Sequence, residues 1–507
     1  MSLADHPGDS PALIVADGPT ITYGELFERS QRVAALLHEA GLRRGDGVAL
    51  VLPNRPEFFE ITWGCQLSGL YYSAVNTHFT PDEVAYVIDD SEAKAVFIDA
   101  SMAELGDRIA EGSGVDLRVC IGGVLPGWRS YEEALVGSGV APVISDGSEM
   151  LYSSGTTGRP KAVRRPLPED GEGSWAQKVL EYSLAQRYDM TPDSVYLSPA
   201  PLYHAAGVNY TMAVHRVGAA SILMGKFDAE AVLRLISEHR VTHAQFVPTM
   251  FVRMLKLPDA VREKYDVSSL RCVIHAAAPC PVDVKHAMME WFGPIIHEYY
   301  GGTEGFAGTI ISPEEWLAHP GSVGKPFSLV HVVGEDGAEL PAGESGELFF
   351  EGGPAFEYFK DPAKTASVSN DRGWRSLGDM GYVDEDGYLY LTDRSTFMIV
   401  SGGVNIYPQE AENLLVMHPK LVDAAVFGVP NDEFGEEVKA VVQPVDGVPV
   451  GPELEAELIE YCRANLAGYK CPRTVEFDAE LPRDPNGKLY KRRIRERYWQ
   501  GRSSRIL

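Results

Sequence analysis

Basic residues are in short supply: 45 Lys and Arg stand against 72 Asp and Glu in a chain of 507, a net charge of −27. That balance argues against nucleic acid or an anionic membrane as a general partner and leaves polyanions only local basic sites. Cysteine is scarce as well. The six thiols, Cys65, Cys120, Cys272, Cys280, Cys462 and Cys471, form no C-x-x-C pair and have no histidine at metal-ligand spacing, a usage that fits a reducing cytoplasm. No run of about 18 or more apolar residues occurs, so no bilayer-spanning segment is expected. The acidic start MSLADHPGDSP lacks the basic and apolar stretches of a secretory signal, and none is expected. Repeats at a solenoid period and low-complexity segments are missing too.

What the chain does have is length and regular patterning. With 45% apolar residues, 50 Gly and 34 Pro, 507 residues exceed one core, and at least two domains are expected. The dominant rhythm is strand, helix, strand. Thr22 and Glu25 make a capping box, Leu26, Val33, Ala34 and Leu37 then share a helical face, and Gly41 stops the element ahead of the buried strand VALVLP. Thr80 and Glu83 cap a second helix before AKAVFID, and the pattern returns in AEAVLRLISEHR, HAQFVP, SLRCVIHAA and DVKHAMMEWFG. This predicts layered, parallel α/β sheets. From about Gly321 the texture shifts to short strands such as GELFFEGG and GYLYLTD, a small β-rich subdomain. A new αβ pattern starts near Asp393, and a boundary there divides residues 1–393 from a smaller α+β unit, residues 394–507.

The stretch from Leu151 to Val163, LYSSGTTGRPKAV, combines what a polyphosphate needs. Gly155 and Gly158 let the backbone bend so that N–H groups converge on anionic oxygens, Ser153, Ser154, Thr156 and Thr157 add hydroxyls, and Lys161 adds charge. A Walker loop is disfavoured, because Pro160 follows Gly155 at five residues and Lys161 precedes Ala162. The plainer alternative is a polar turn after the strand EMLYS. In HEYYGGTEG, Tyr300, Gly301, Gly302, Thr303 and Glu304 follow an apolar strand, at the edge where α/β folds bind ligands. An aromatic face, a hydroxyl and a carboxylate there suit a base, a phosphate and Mg²⁺. Taken alone, Glu304 reads as a helix-start acid. Asp379 and Arg394 are an acceptor and a donor of the kind that fix ribose, on a segment that also reads as a hairpin turning at Asp386–Gly387. Ser401 to Glu412 reads as a glycine turn and a helix, and PRDPNGKLYKRR carries Lys488 on a Gly-preceded turn, with a solvated basic tail as the alternative.

Taken in order, SSGTTGRPK, YGGTE, Gly378–Asp379, Asp393–Arg394 and PRDPNGK resemble the motif set of the adenylate-forming superfamily: acyl-CoA synthetases, luciferases and nonribosomal-peptide adenylation domains. The resemblance spans essentially the whole chain. It implies an α/β N-terminal domain holding ATP and a carboxylic acid, and a mobile C-terminal lid. It further implies that Ser154, Gly155, Thr156, Thr157, Gly158 and Lys161 bind phosphate, and that Tyr300 stacks on adenine with Ala277 and Gly301 beside the nucleotide. Thr303 would touch the α-phosphate, Glu304 with Thr156 would hold Mg²⁺, Asp379 and Arg394 would hold ribose, and Lys488 would contact the carboxylate and α-phosphate. Gly402 and Gly403 would line the route for the pantetheine arm of CoA, and His204 would orient the acid. Thr396 stands where many relatives carry a hinge Asp or Lys.

The activity implied is acid–thiol ligation through an acyl-adenylate. Ser401 to Pro408 matches the run often carried by CoA-using members, which favours CoA; loading of an acyl carrier protein is the runner-up, and a non-catalytic adenylate-binding protein the remote alternative. Amino-acid-activating relatives place Asp where this chain has Ala205, and acetate-activating ones place Trp where it has Gly301. With Ala205, Ala206, Gly207 and Ala276 to Ala278 as small walls, the expected substrate is an apolar acid of medium to long chain, or an alicyclic or aromatic one. A cytoplasmic enzyme without integral membrane association or nucleic-acid partner is expected, and a homodimer is compatible with the sequence.

Overall fold

The computed structural model describes residues 2–112, 114–139, 145–153, 160–169, 173–394, 397–402, 404–431, 433–483 and 489–499. Among them five sheets form. The largest holds six consecutive parallel strands, in spatial order Pro11–Val15, Ala220–Leu223, Val195–Ser198, His243–Phe246, Cys272–His275 and Ile296–Gly301. Antiparallel strands close its edges, Thr20–Thr22 on one side and Gly308–Ile311 with Lys325–Pro326 on the other. The apolar strand interiors read as continuous hydrophobic runs because helices cover the faces. Ala229–His239 buries Val232, Leu233, Leu235 and Ile236, and Val282–Phe292 buries Val284, Met288 and Met289.

A six-stranded, all-parallel sheet is built around Gly47–Val51 and Ala93–Asp99, with every residue of Gly47–Val51 buried. Its helices begin at the expected caps. The Thr22 hydroxyl accepts from Glu25 N ahead of Tyr23–Glu39, Thr80 does the same for Glu83 ahead of Pro81–Asp90, and each glutamate closes the box. EMLYS is not one strand. Ser148–Glu149 completes this sheet, whereas Leu151–Ser153 pairs antiparallel with Lys161–Arg164 in a separate three-stranded sheet.

The β-rich section is a four-stranded antiparallel sheet of Leu329–Val333, Gly346–Glu351, Asp379–Val383 and Leu389–Arg394. Its last hairpin turns as expected: the Asp384 carboxylate accepts from the N–H groups of Asp386 (3.0 Å) and Tyr388 (2.8 Å), with Gly387 at φ 84°. All strands of the fifth sheet come from Ile399 onward, and Gly435–Pro444 at its centre pairs with Ile399–Ser401, Leu421–Asn431 and Thr474–Phe477. This sheet is clasped to the first by Lys256, whose ammonium donates to the carbonyls of Val416 (3.0 Å) and Leu421. No helix among the described residues is long and apolar enough to cross a membrane.

Candidate functional site

Loops leaving the carboxyl ends of four neighbouring parallel strands supply one wall of a cleft of about 940 Å³. Tyr203 and His204 follow Val195–Ser198, Pro248 and Thr249 follow His243–Phe246, Ala276 to Ala278 follow Cys272–His275, and Tyr300 and Gly301 end the strand Ile296–Gly301. The crossover after Val195–Ser198 runs to Ala220–Leu223 on one side and the crossover after the adjacent His243–Phe246 runs to Cys272–His275 on the other, the kind of reversal at which open α/β sheets bind ligands. Gly378, Asp379 and Asp393 line a second side, and Phe397, Gln409, Arg483, Leu489, Tyr490 and Lys491, from the last part of the chain, line a third.

Of the residues singled out in the sequence, Lys161, His204, Ala277, Tyr300, Gly301, Thr303, Glu304 and Asp379 share this cleft. The Tyr300 phenol donates to Asp379 Oδ2 at 2.6 Å. The Thr303 hydroxyl donates to Glu304 Oε2 at 3.3 Å, and the Tyr358 phenol to Glu304 Oε1 at 2.6 Å. Lys161 Nζ lies 3.3 Å from Asp361 Oδ2. Ser153 and Lys161 are register partners in antiparallel strands, so the glycine-rich stretch between them links a strand to a strand. A Walker loop, by contrast, opens a helix. Ser154, Gly155, Thr156, Thr157, Gly158, Thr396, Gly403 and Lys488 lie outside the described residues, as does the Arg394 side chain. Arg483 and Leu489, which bracket Lys488, form an antiparallel bridge.

Expectations for Glu304 and for two of the small pocket walls are corrected. Glu304 starts no helix: Gly302 to Ala307 is a turn between Ile296–Gly301 and Gly308–Ile311, so its carboxylate is placed by hydrogen bonds rather than by a helix end. Gly207 is no pocket wall, because a Cβ there would stand 2.4 Å from the Pro201 carbonyl oxygen; the missing side chain lets the helix Ala205–Val217 sit on the 201–202 backbone. Ala206 likewise is absent from the lining, while Ala205 and Ala276 to Ala278 are present. Gly402, at φ 58°, does not line the cleft.

The structure adds residues that spacing did not single out. Glu298 shares a strand face with Tyr300 by the two-residue period and lines the cleft. Its Oε2 accepts from Lys285 (2.7 Å) and lies 3.3 Å from His275 Nε2, with Lys285 and His275 fully buried. Burial pushes the Glu298 carboxyl up, but His275 and Lys285 outweigh it and hold it down at about 2. Arg165 spans Glu149 (3.0 Å) and the Thr303 carbonyl, pinning the Thr303–Gly305 turn. Ala277 holds φ 74°, a left-handed conformation unusual for a side chain with a Cβ.

Among the described residues no three His, Cys, Asp or Glu side chains gather at metal-binding spacing. A single carboxylate beside a hydroxyl fits Mg²⁺, which keeps several waters and is commonly held by one or two carboxylates together with substrate phosphates. Glu304 and Thr303 offer a carboxylate and a hydroxyl of that kind in the cleft that Lys161 also lines.

The AMP-binding enzyme family matches residues 2–357, and the AMP-binding enzyme C-terminal domain matches residues 410–488. A feruloyl-CoA synthase from Amycolatopsis sp is 35% identical over 95% of this chain and 94% of its own length. The fatty acid–[acyl-carrier-protein] ligase ScoC from Streptomyces coeruleorubidus is 30% identical over 98% of this chain and 95% of its own. Among solved structures, ATP-bound MatB from Rhodopseudomonas palustris is similar at a TM-score of 0.83 and 31% identity, covering 98% of both chains.

Proposed function

The chain belongs to the AMP-binding enzyme family, and from that premise we propose that it is an ATP-dependent acyl-CoA synthetase for an apolar acid, aromatic, alicyclic or of medium to long chain. One observation carries the reading: Tyr300–Asp379, Thr303–Glu304 and Lys161 converge in a cleft that Arg483, Leu489 and Tyr490 also line. A carboxylate attacking the α-phosphate brings anion to anion, so the protein's task is positioning and charge neutralisation. The Tyr300 ring stacks on adenine. Asp379, its Oδ2 held by the same tyrosine, takes the ribose hydroxyls with Arg394. Glu298, which lines the same cleft, offers an acceptor for the exocyclic amine of adenine, where guanine carries a carbonyl. Lys161 and the Ser154 to Gly158 cradle hold the phosphates, Thr303 meets the α-phosphate, and Lys488 neutralises the attacking oxygen. Glu304 with Thr156 would hold Mg²⁺, which would supply further positive charge to the phosphates.

The acyl group lies against Ala205, Pro248, Val252 and Ala276 to Ala278, small or apolar walls that offer no free counter-ion for an ammonium. His204, at the N-terminus of Ala205–Val217 and 4.6 Å from the Tyr203 ring, borders the carboxylate. This reading divides the chain at 393/394 and makes residues 394–507 a lid. The fifth sheet, built wholly from residues after that point, and the family match over 410–488 support it. After adenylation has released pyrophosphate the lid turns, withdrawing Lys488 and presenting Gly402 and Gly403 to the pantetheine arm, whose thiol, losing its proton, attacks the acyl carbonyl of the mixed anhydride and displaces AMP. The enzyme is assigned to the cytoplasm, in keeping with six unpaired thiols.

Likeness to ScoC favours one alternative acceptor, a holo-acyl carrier protein. Pyrophosphate exchange across aromatic, alicyclic, fatty, acetic and amino acids, with ATP and with GTP, followed by offering CoA or holo-carrier, tests the whole reading. Exchange with ATP and an apolar acid, ending in a CoA thioester, is expected; no exchange with any acid would leave an adenylate-binding protein.

A further inference from the structure

A single short segment touches two of the charged groups that the proposed reaction uses. The strand Glu357–Tyr358 pairs antiparallel with Lys161–Arg164, Tyr358 opposite Val163, and leads into the helix Pro362–Ser367. Asp361 caps that helix through Oδ1, which accepts from Lys364 N at 2.9 Å, and turns Oδ2 to Lys161. Tyr358 is fixed at both ends. Its backbone N–H donates to Thr365 Oγ1 at 2.9 Å, and its phenol reaches Glu304, 54 residues away in sequence, at 2.6 Å. That length is typical of a charge-assisted O–H···O⁻ bond. The ring is 8% exposed and meets Phe356 edge-on at 5.5 Å, so the phenol has little freedom to point elsewhere.

We propose that Tyr358 is a positioning residue for the metal-binding carboxylate. An unheld glutamate rotates about its terminal bonds and must be ordered each time a metal arrives. Here the phenol occupies one oxygen of Glu304 and fixes the plane of the carboxylate, leaving Oε2, which meets the Thr303 hydroxyl, on a residue that lines the cleft. The partners that orient ligating carboxylates typically matter by one to two orders of magnitude in metal affinity. Because strand pairing joins Tyr358 to the strand that begins at Lys161, the metal carboxylate and the phosphate-binding ammonium are placed by the same piece of backbone. The inference rests on the proposed role of Glu304.

Tyr358→Phe removes one hydroxyl and keeps the ring, so full-length wild type, Tyr358→Phe and Glu304→Gln form the test. Calorimetry measures ATP binding with and without Mg²⁺, and electron paramagnetic resonance measures Mn²⁺ binding in the presence of ATP. Tyr358→Phe should weaken Mn²⁺ binding by about tenfold. Metal-free ATP binding and melting temperature should hold, and excess Mg²⁺ should restore turnover. If Glu304→Gln weakens metal binding while Tyr358→Phe does not, the positioning role is wrong and the Glu304 reading stands. An equal loss of metal-free ATP binding in Tyr358→Phe makes the tyrosine a packing residue and also overturns the proposal. If Glu304→Gln binds metal as wild type does, the reading of Glu304 itself fails and the proposal falls with it.

Discussion

Lys285 is a cation sealed in the protein interior, and its ammonium donates to the cleft residue Glu298. Taking two charges out of water costs several kcal/mol each, and the pair recovers that only while both members are present. Lys285→Met should therefore destabilise the protein by about 3–5 kcal/mol in urea unfolding, with Glu298→Gln on top recovering a good part of it. Additive losses would contradict the pairing. The same carboxyl carries a pH signature. Its folded value of about 2 lies below the ordinary 4.5, so it adds stability above pH 4.5 that is lost as pH falls toward 2. At Ala277 the strain is in the backbone. A left-handed φ of 74° is costly for a β-branched side chain, so Ala277→Val should lose about 1–3 kcal/mol in thermal or urea melts, whereas Ala277→Gly should not.

Elements were the most legible scale in the sequence. The Thr22–Glu25 and Thr80–Glu83 boxes named two helix starts because capping is local chemistry, and Asp386–Gly387 named a hairpin for the same reason. Legibility ended where a contact joined distant segments. Nothing in EYFKDP points to Glu304, nothing in DVKHAM points to Glu298, and the division of EMLYS between two sheets depends on neighbours more than on its own residues. The glycine pattern misled at Gly207, where small size serves close helix packing rather than an open pocket. On either side of Lys488, Arg483 and Leu489 form a bridge, and Arg483, Leu489 and Tyr490 line the cleft. Lys488→Ala should slow adenylation by roughly 10²-fold or more, a usual loss for one electrostatic contact to developing charge. Thioester formation from a supplied acyl-adenylate should be little changed, and single-turnover assays of each half-reaction read both; equal losses would contradict a lid with two working positions.

At the scale of the whole molecule, acid should be the weak side. Burial holds the imidazoles of His215, His243 and His297 neutral, His215 down to about 3 and His297 to about 4. Each takes up a proton near pH 6.5 once unfolded, so the unfolded chain binds more protons below that pH and stability falls as pH drops from 6.5 toward 3. His215 and His297 alone should give uptake of about two protons per molecule on unfolding at pH 5. A calorimetric series of melting temperatures from pH 8 to 4 would show this, and a flat series between 6.5 and 5 would refute it. The fifth sheet has a consequence of its own. The Gly402 turn and the Arg483–Lys491 segment are anchored to the same central strands, one through the Ser401–Gly435 pairing and the other through Leu481 N–H on Gln443 and Arg483 on Asp423. Only one of the two now faces the cleft. On the proposed reading the sheet works as an escapement: engaging one tooth lifts the other, so the thiol is admitted only after the lysine has let go, and the order of the two reactions is kept by rigidity rather than by relative rates.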